Sequence, residues 1–296
     1  MFDGVHRGHQ AILRRASHEA ARLKCRPAVL TFVEHPSRVL TPDRPVELLQ
    51  TFAERRETIR RCGVRAIFGL RFTRRLANFS PAEFVSRVLL RTWNLRGVVV
   101  GENFRFGRNR AGVIDDLRTL LAPAGIRVFG VSAVRMGEKI IQSTAIRGAL
   151  ADGNIHDAAR MSGRPMEWTG RLEKGAGVGR KLGARTINLA LPNERLPRLG
   201  VYAGRVRRVT RSGGRGRARA AVMNLGVAPT VHANRRVFLE AHILDRGPVR
   251  GNPGDVWQVE MKRFLRPEKK FETVEALREA ISRDIVRSRA VLGIGG

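Results

Sequence analysis

Two histidines stand three apart near the start of the chain, in Phe2-Asp3-Gly4-Val5-His6-Arg7-Gly8-His9. A helical pattern follows, with Ile12, Leu13, Ala16, Ala20 and Leu23 at the required spacing. A glycine-bearing turn that runs into a helix start aims free backbone N–H groups and the positive helix end at one point, which suits a phosphate. Imidazoles at i and i+3 share one helix face and can donate to a phosphate that gains charge during transfer. A second group lies in the other half of the chain. The segment Gly170-Arg171-Leu172-Glu173-Lys174-Gly175-Ala176-Gly177-Val178-Gly179-Arg180-Lys181-Leu182-Gly183 is glycine-rich, and glycines let backbone amides approach phosphates closely. Thr186-Ile187-Asn188 follows it, and residues i and i+2 of a strand point to one face.

These groups need elements to position them. Residues 1 to about 150 alternate strands (28–33, 96–100, 126–134) with helices (10–24, 53–62, 81–92). That alternation predicts an α/β lobe with a parallel sheet, whose ligands bind at the carboxyl ends of the strands. A short helical stretch over 144–161 leads to Gly163-Arg164-Pro165. From about Glu167 the pattern changes to strand-like runs at 201–209, 218–225, 236–244 and 256–264, separated by Gly- and Pro-rich turns. This predicts a small antiparallel β-barrel. A terminal amphipathic helix over 274–292 sets Leu277, Ile281, Ile285 and Val291 on one side. The expected division is residues 1–150, a linker over 151–166, and residues 167–296. The Arg- and Gly-rich stretch 211–219 is expected to be a hairpin loop.

Composition bounds the function classes. A chain of 296 residues with 43% hydrophobic residues has the length and apolar content for two packed domains. No apolar run reaches the length of a membrane span and no leader pattern opens the chain, so a cytoplasmic protein that engages no membrane is expected. Cys25 and Cys62 match no metal spacing and do not suggest a disulfide framework. The formal charge is +30, from 56 Lys and Arg against 26 Asp and Glu. Such a balance fits a nucleic-acid binder. The arginines are nevertheless spread along the whole chain, and the densest run, 205–219, has no interleaved aromatics. The favoured reading is an enzyme for polyanionic nucleotides that binds no specific nucleic acid. Oligomeric state is not legible.

The motifs together resemble the bacterial bifunctional riboflavin kinase/FMN adenylyltransferase (FAD synthetase) family. Besides the His-x-Gly-His turn, the first half carries Thr31-Phe32-Val33-Glu34-His35-Pro36, Val100-Gly101-Glu102-Asn103-Phe104-Arg105-Phe106-Gly107 and Gln142-Ser143-Thr144-Ala145-Ile146-Arg147. The second half carries the glycine-rich loop with its Thr-x-Asn, then Gly200-Val201-Tyr202-Ala203, Asn224-Leu225-Gly226-Val227-Ala228-Pro229-Thr230, Leu239-Glu240-Ala241-His242-Ile243-Leu244-Asp245 and Leu265-Arg266-Pro267-Glu268-Lys269-Lys270-Phe271. The resemblance implies a Rossmann-type nucleotidyltransferase lobe followed by a kinase barrel. ATP would phosphorylate riboflavin to FMN in the barrel, and the first lobe would adenylylate FMN to FAD.

The resemblance also implies roles. His6 and His9, with Gly4 and Gly8, would contact the ATP phosphates of the adenylyltransferase, and Ser143, Thr144 and Arg147 would cap their far side. Asn103, Phe104 and Phe106 would shape the flavin pocket there. In the kinase half, Gly175, Gly177, Gly179 and Arg180 would cradle phosphates, Thr186 and Asn188 would present two oxygens to Mg²⁺, and Asn224 and Arg266 would bind flavin. Glu240 would be the general base on the riboflavin 5′-hydroxyl, with His242 in a supporting role.

Four departures from the family pattern stand out. Glu34 replaces a proline, Gln142 a serine, and Arg185 a proline beside the metal pair. The chain also starts on the motif that a hydrophobic strand precedes in the family, so the first strand of the sheet is expected to be missing. A central parallel strand buries several apolar side chains worth roughly 1.5–3 kcal/mol each. A kinase whose first lobe is inactive is therefore one alternative, and a basic nucleic-acid-binding protein is another.

Overall fold

The computed structural model describes residues 1–173, 186–210, 214–228, 236–245, 247, 249 and 251–294. The chain divides into two compact units, Met1–Ser143 and Thr144–Gly296.

In the first unit, helix α1 (Arg7–Arg22) buries Leu13, Glu19 and Ala20. Four short strands follow: β1 (Ala28–Phe32), β2 (Ala66–Leu70), β3 (Gly97–Gly101) and β4 (Arg127–Val131). Their pairing is parallel, as the alternation predicts, but they form two separate ladders, β1 with β2 and β3 with β4. Side chains rather than backbone bonds join the ladders. Leu30 of β1 packs on the same apolar cluster as Val98 and Val100 of β3, around Val85, Phe106, Leu117 and Leu121. Helix α2 (Phe52–Arg61) starts with a capping box in which Thr51 and Glu54 satisfy each other's backbone N–H. Residues 81–92, expected to be one helix, begin as Pro81–Glu83 and continue over Phe84–Leu90 with the wider π turn. Helix α3 (Ile114–Leu121) covers β4, and a small antiparallel pair, β5 (Arg135–Met136) and β6 (Lys139–Ile140), closes the unit.

The second unit starts with helices α4 (Ser143–Ala151, its first residue being the last of the first unit) and α5 (Ile155–Ser162). Helix α5 packs on β7 and β12 of a closed six-stranded antiparallel barrel. Its strands are β7 (Met166–Glu173), β8 (Thr186–Ala190), β9 (Gly200–Val209), β10 (Arg219–Ala228), β11 (Arg236–Ile243) and β12 (Val256–Arg266), in spatial order β10-β11-β8-β7-β12-β9. Alternation fills the interior with Ile187, Leu189, Tyr202, Met223, Leu225, Leu239, Ala241 and Val259, all buried. Strands β9 and β10 are antiparallel neighbours, and residues 211–213 of the expected hairpin loop lie outside the described residues.

Helix α6 (Val274–Leu292) has the predicted bounds, with the Thr273 hydroxyl accepting from the Ala276 N–H at 3.1 Å. Its buried seam differs from the predicted one. Ala280, Asp284, Ser288 and Leu292 are buried at its centre, while Leu277, Ile281, Ile285 and Val291 flank it half-buried.

Among the described residues, three arginines of the densest run meet acidic partners. Arg207 meets Glu167 at 3.4 Å and Glu260 at 3.8 Å, Arg208 meets Asp255 at 2.9 Å, and Arg219 meets Asp245 at 3.9 Å. Cys25 and Cys62 are not joined in a disulfide.

Candidate active sites

The turn Asp3–Val5 is the backbone of the first site. Gly4 has φ +75°, and a Cβ there would lie 2.7 Å from Leu49 Cδ1, so only glycine fits. Val5 follows at φ +38°, a left-handed conformation that a β-branched residue adopts only under strain. The Asp3 carboxylate is buried and accepts the Leu49 N–H at 3.0 and 3.3 Å, which holds the turn against the rest of the unit. The Ser143 hydroxyl, in the same unit, donates to the Asp3 carbonyl at 2.8 Å. Thr144 and Arg147 belong to the second unit.

His6 and His9 are brought together. Their rings stack with centroids 3.8 Å apart and planes at 24°. His6 is the N-cap of α1 rather than a helix residue, and its Nδ1 accepts the His9 N–H at 3.4 Å. An accepting Nδ1 places the ring proton on Nε2, so neutral His6 is a donor at its outer nitrogen. Burial, and then the neighbouring His6, hold the His9 pKa well below the usual histidine range.

Arg55, which the sequence reading did not single out, is fully buried. Its Nη2 donates to the Phe32 and Val33 carbonyls at 2.8 and 2.6 Å, at the carboxyl end of β1. The cue was its place in a strongly capped helix following that strand, but no periodicity marks a buried cation. Beyond the same strand, His35 Nδ1 lies 2.7 Å from the Ser37 hydroxyl. Phe106 is a core residue and Phe104 stacks on it at 5.7 Å and 14°, whereas Asn103 is exposed beside them.

In the barrel, register does the assembling. Asn188 on β8 pairs with Glu240 on β11, and Glu240 pairs with Asn224 on β10. Thr186 pairs with His242 one step along the same outward face. Buried Ile187, Leu189, Leu239 and Ala241 alternate with these half-buried polar residues. Burial alone raises the Glu240 pKa and lowers that of His242. The row continues: Val201 on β9 pairs with both Asn224 and Arg266.

Arg266 itself is committed elsewhere. Its Nε and Nη2 donate to the Asp284 carboxylate of α6 at 3.0 and 2.8 Å. The predicted phosphate cradle, Gly175, Gly177, Gly179 and Arg180, and the departure at Arg185 lie outside the described residues. Among the described residues no cluster of three His, Cys, Asp or Glu side chains could hold a metal. Thr186 and Asn188 instead offer two neutral oxygens on one face. That suits a hard cation which keeps phosphate and water oxygens as its other ligands.

Residues 1–145 match the FAD synthetase family and residues 162–292 the riboflavin kinase family. The chain is 35% identical to the bifunctional riboflavin kinase/FMN adenylyltransferase of Pseudomonas fluorescens, over 98% of this chain and 90% of that protein. It is 32% identical to the protein of the same name from Escherichia coli K12, over 99% and 91% respectively. A crystal structure of a protein named as a macrolide-efflux protein from Streptococcus pneumoniae superposes with TM-score 0.85 at 27% identity, covering 97% of this chain and 91% of the other. Among the described residues no helix is long and apolar enough to cross a membrane.

Proposed function

On the premise that this chain belongs to the bifunctional riboflavin kinase/FMN adenylyltransferase family, with both catalytic domains present, we propose which of its side chains carry each step. It is a transferase, with ATP, riboflavin, FMN and FAD as its substrates and products.

For the kinase step, Glu240 takes the proton from the riboflavin 5′-hydroxyl as that oxygen attacks the γ-phosphorus of ATP and ADP leaves. A carboxylate partly withdrawn from water is a stronger proton acceptor than an exposed one. The observation that carries this assignment is the register that sets Asn188, Glu240 and Asn224 side by side on three strands. Thr186 and Asn188 would hold Mg²⁺, which would supply neutralisation of the phosphate charge that builds up during transfer. Asn224 faces the flavin. Arg266 binds on the flavin side, its guanidinium oriented by the Asp284 carboxylate.

For the adenylyl step, an FMN phosphate oxygen attacks the α-phosphorus of ATP and pyrophosphate leaves. Positioning and charge neutralisation do most of the work. His6 donates from Nε2 and neutral His9 stacks on it, both at the start of α1, where backbone N–H groups also point at an anion. Gly4 and Gly8 keep the turn open to the phosphates, and Ser143 braces it through the Asp3 carbonyl. Asn103 and Phe104 contact the flavin, with Phe106 as their apolar support.

The test is to incubate the purified chain with riboflavin, ATP and Mg²⁺ and separate the flavins over time. FMN followed by FAD is expected. A folded sample that forms neither contradicts the assignment.

A further inference from the structure

We propose that Glu268 is a positioning residue for flavin recognition, holding the Asn224 carboxamide with its oxygen offered to substrate. The inference rests on the kinase reading of this face and deepens it. Glu268 Oε1 accepts a hydrogen bond from Asn224 Nδ2 at 3.3 Å. A carboxylate is acceptor-only, so the amide must turn its NH₂ end to Glu268, leaving Oδ1 at the opposite end. Asn224 thus presents an acceptor, which complements the hydrogen-bond donors of riboflavin: an imide N–H and the ribityl hydroxyls.

Two further observations show that this contact is built in. The Glu268 carboxylate lies directly on Gly226, where a Cβ would sit 2.1 Å from Oε1 and 3.0 Å from Cδ. Any side chain at 226 would displace it, so β10 leaves a gap of the carboxylate's size two residues beyond Asn224. The segment that carries Glu268 is also anchored immediately before it. Arg266 is clamped to the buried Asp284 carboxylate, donates from Nη1 to the Pro267 carbonyl at 3.1 Å, and has Cζ 5.6 Å from the Phe271 ring centroid. Helix α6 thus holds Arg266, Arg266 sets the turn at Pro267, and the turn lays Glu268 on β10. Glu268 is an exposed charge in a basic stretch, and its sequence context alone gives it no task.

The experiment measures riboflavin and ATP saturation of the kinase reaction in the full chain with Glu268→Ala, Glu268→Gln and Gly226→Ala. Loss of one orienting hydrogen bond should raise the riboflavin KM of Glu268→Ala about tenfold, with kcat and the ATP KM within about twofold. Glu268→Gln should stay near wild type, because its amide oxygen can accept the same N–H. Gly226→Ala should raise the riboflavin KM as Glu268→Ala does, and the double variant should show no further rise. A merely structural strap would lower the melting midpoint and leave the riboflavin KM alone. An unchanged riboflavin KM in Glu268→Ala, or a Gln variant as impaired as the Ala variant, overturns the inference. Wild-type chain that makes no FMN overturns the kinase reading as well, which separates the two failures.

Discussion

Asn188 and Glu240 are register partners on adjacent antiparallel strands of the barrel. That relationship puts a neutral oxygen donor beside a carboxylate whose pKa burial raises. Only the ionised carboxylate can accept the hydroxyl proton. The acid limb of the kinase pH–rate profile should therefore lie above the ordinary glutamate range near 4.3. Glu240→Gln should abolish that limb and lower kcat by about 10²–10⁴-fold.

Asn188→Ala should act through the cation. The Mg²⁺ concentration for half-maximal kinase rate should rise about tenfold or more, with less change at saturating Mg²⁺. Thr186→Ala should behave alike. A Mg²⁺ titration of each variant checks this, and an unchanged half-saturation point contradicts the assignment.

His9 predicts acid sensitivity of the first unit. Its folded pKa is lowered, so the unfolded chain binds a proton that the folded one refuses. The stability this represents is present above the unfolded histidine value near 6.5. It is lost as pH falls through that value towards the folded pKa, by about 1.4 kcal/mol per pH unit. Urea midpoints of the first unit measured between pH 7 and pH 5 should fall, and His9→Asn should flatten the slope.

The Arg266–Asp284 clamp predicts a stability cost when only one partner is removed. Asp284→Asn should destabilise the barrel on the order of 2–3 kcal/mol, below the ~3–5 of a fully buried pair. The discount reflects the Arg266 side chain, which is 23% exposed. Replacing both partners with apolar residues of similar volume should recover much of this, which denaturant midpoints would show.

These residues also mark how far the sequence could be read. Helix α6 was legible end to end because its period is regular and Thr273 caps it. Its seam was not, because Asp284 is buried only by virtue of Arg266, eighteen residues earlier on β12. Strand β2 went unread because Ala66–Leu70 has no fully buried residue and its partner β1 lies more than thirty residues upstream. The wide turn over Phe84–Leu90 and the buried Arg55 likewise depend on tertiary packing, which overrides local propensity. The polar row Asn188–Glu240–Asn224 was present as three separate motifs. Only the antiparallel register makes them one site.

The central claim is that two independent sites act in sequence, with Glu240 serving only the first. The direct test gives Glu240→Gln two diets: riboflavin with ATP and Mg²⁺, and FMN with ATP and Mg²⁺. The account predicts almost no FMN from riboflavin and a wild-type rate of FAD from FMN. A variant that still phosphorylates riboflavin at the wild-type rate, or that loses FAD formation from supplied FMN while remaining folded, contradicts it.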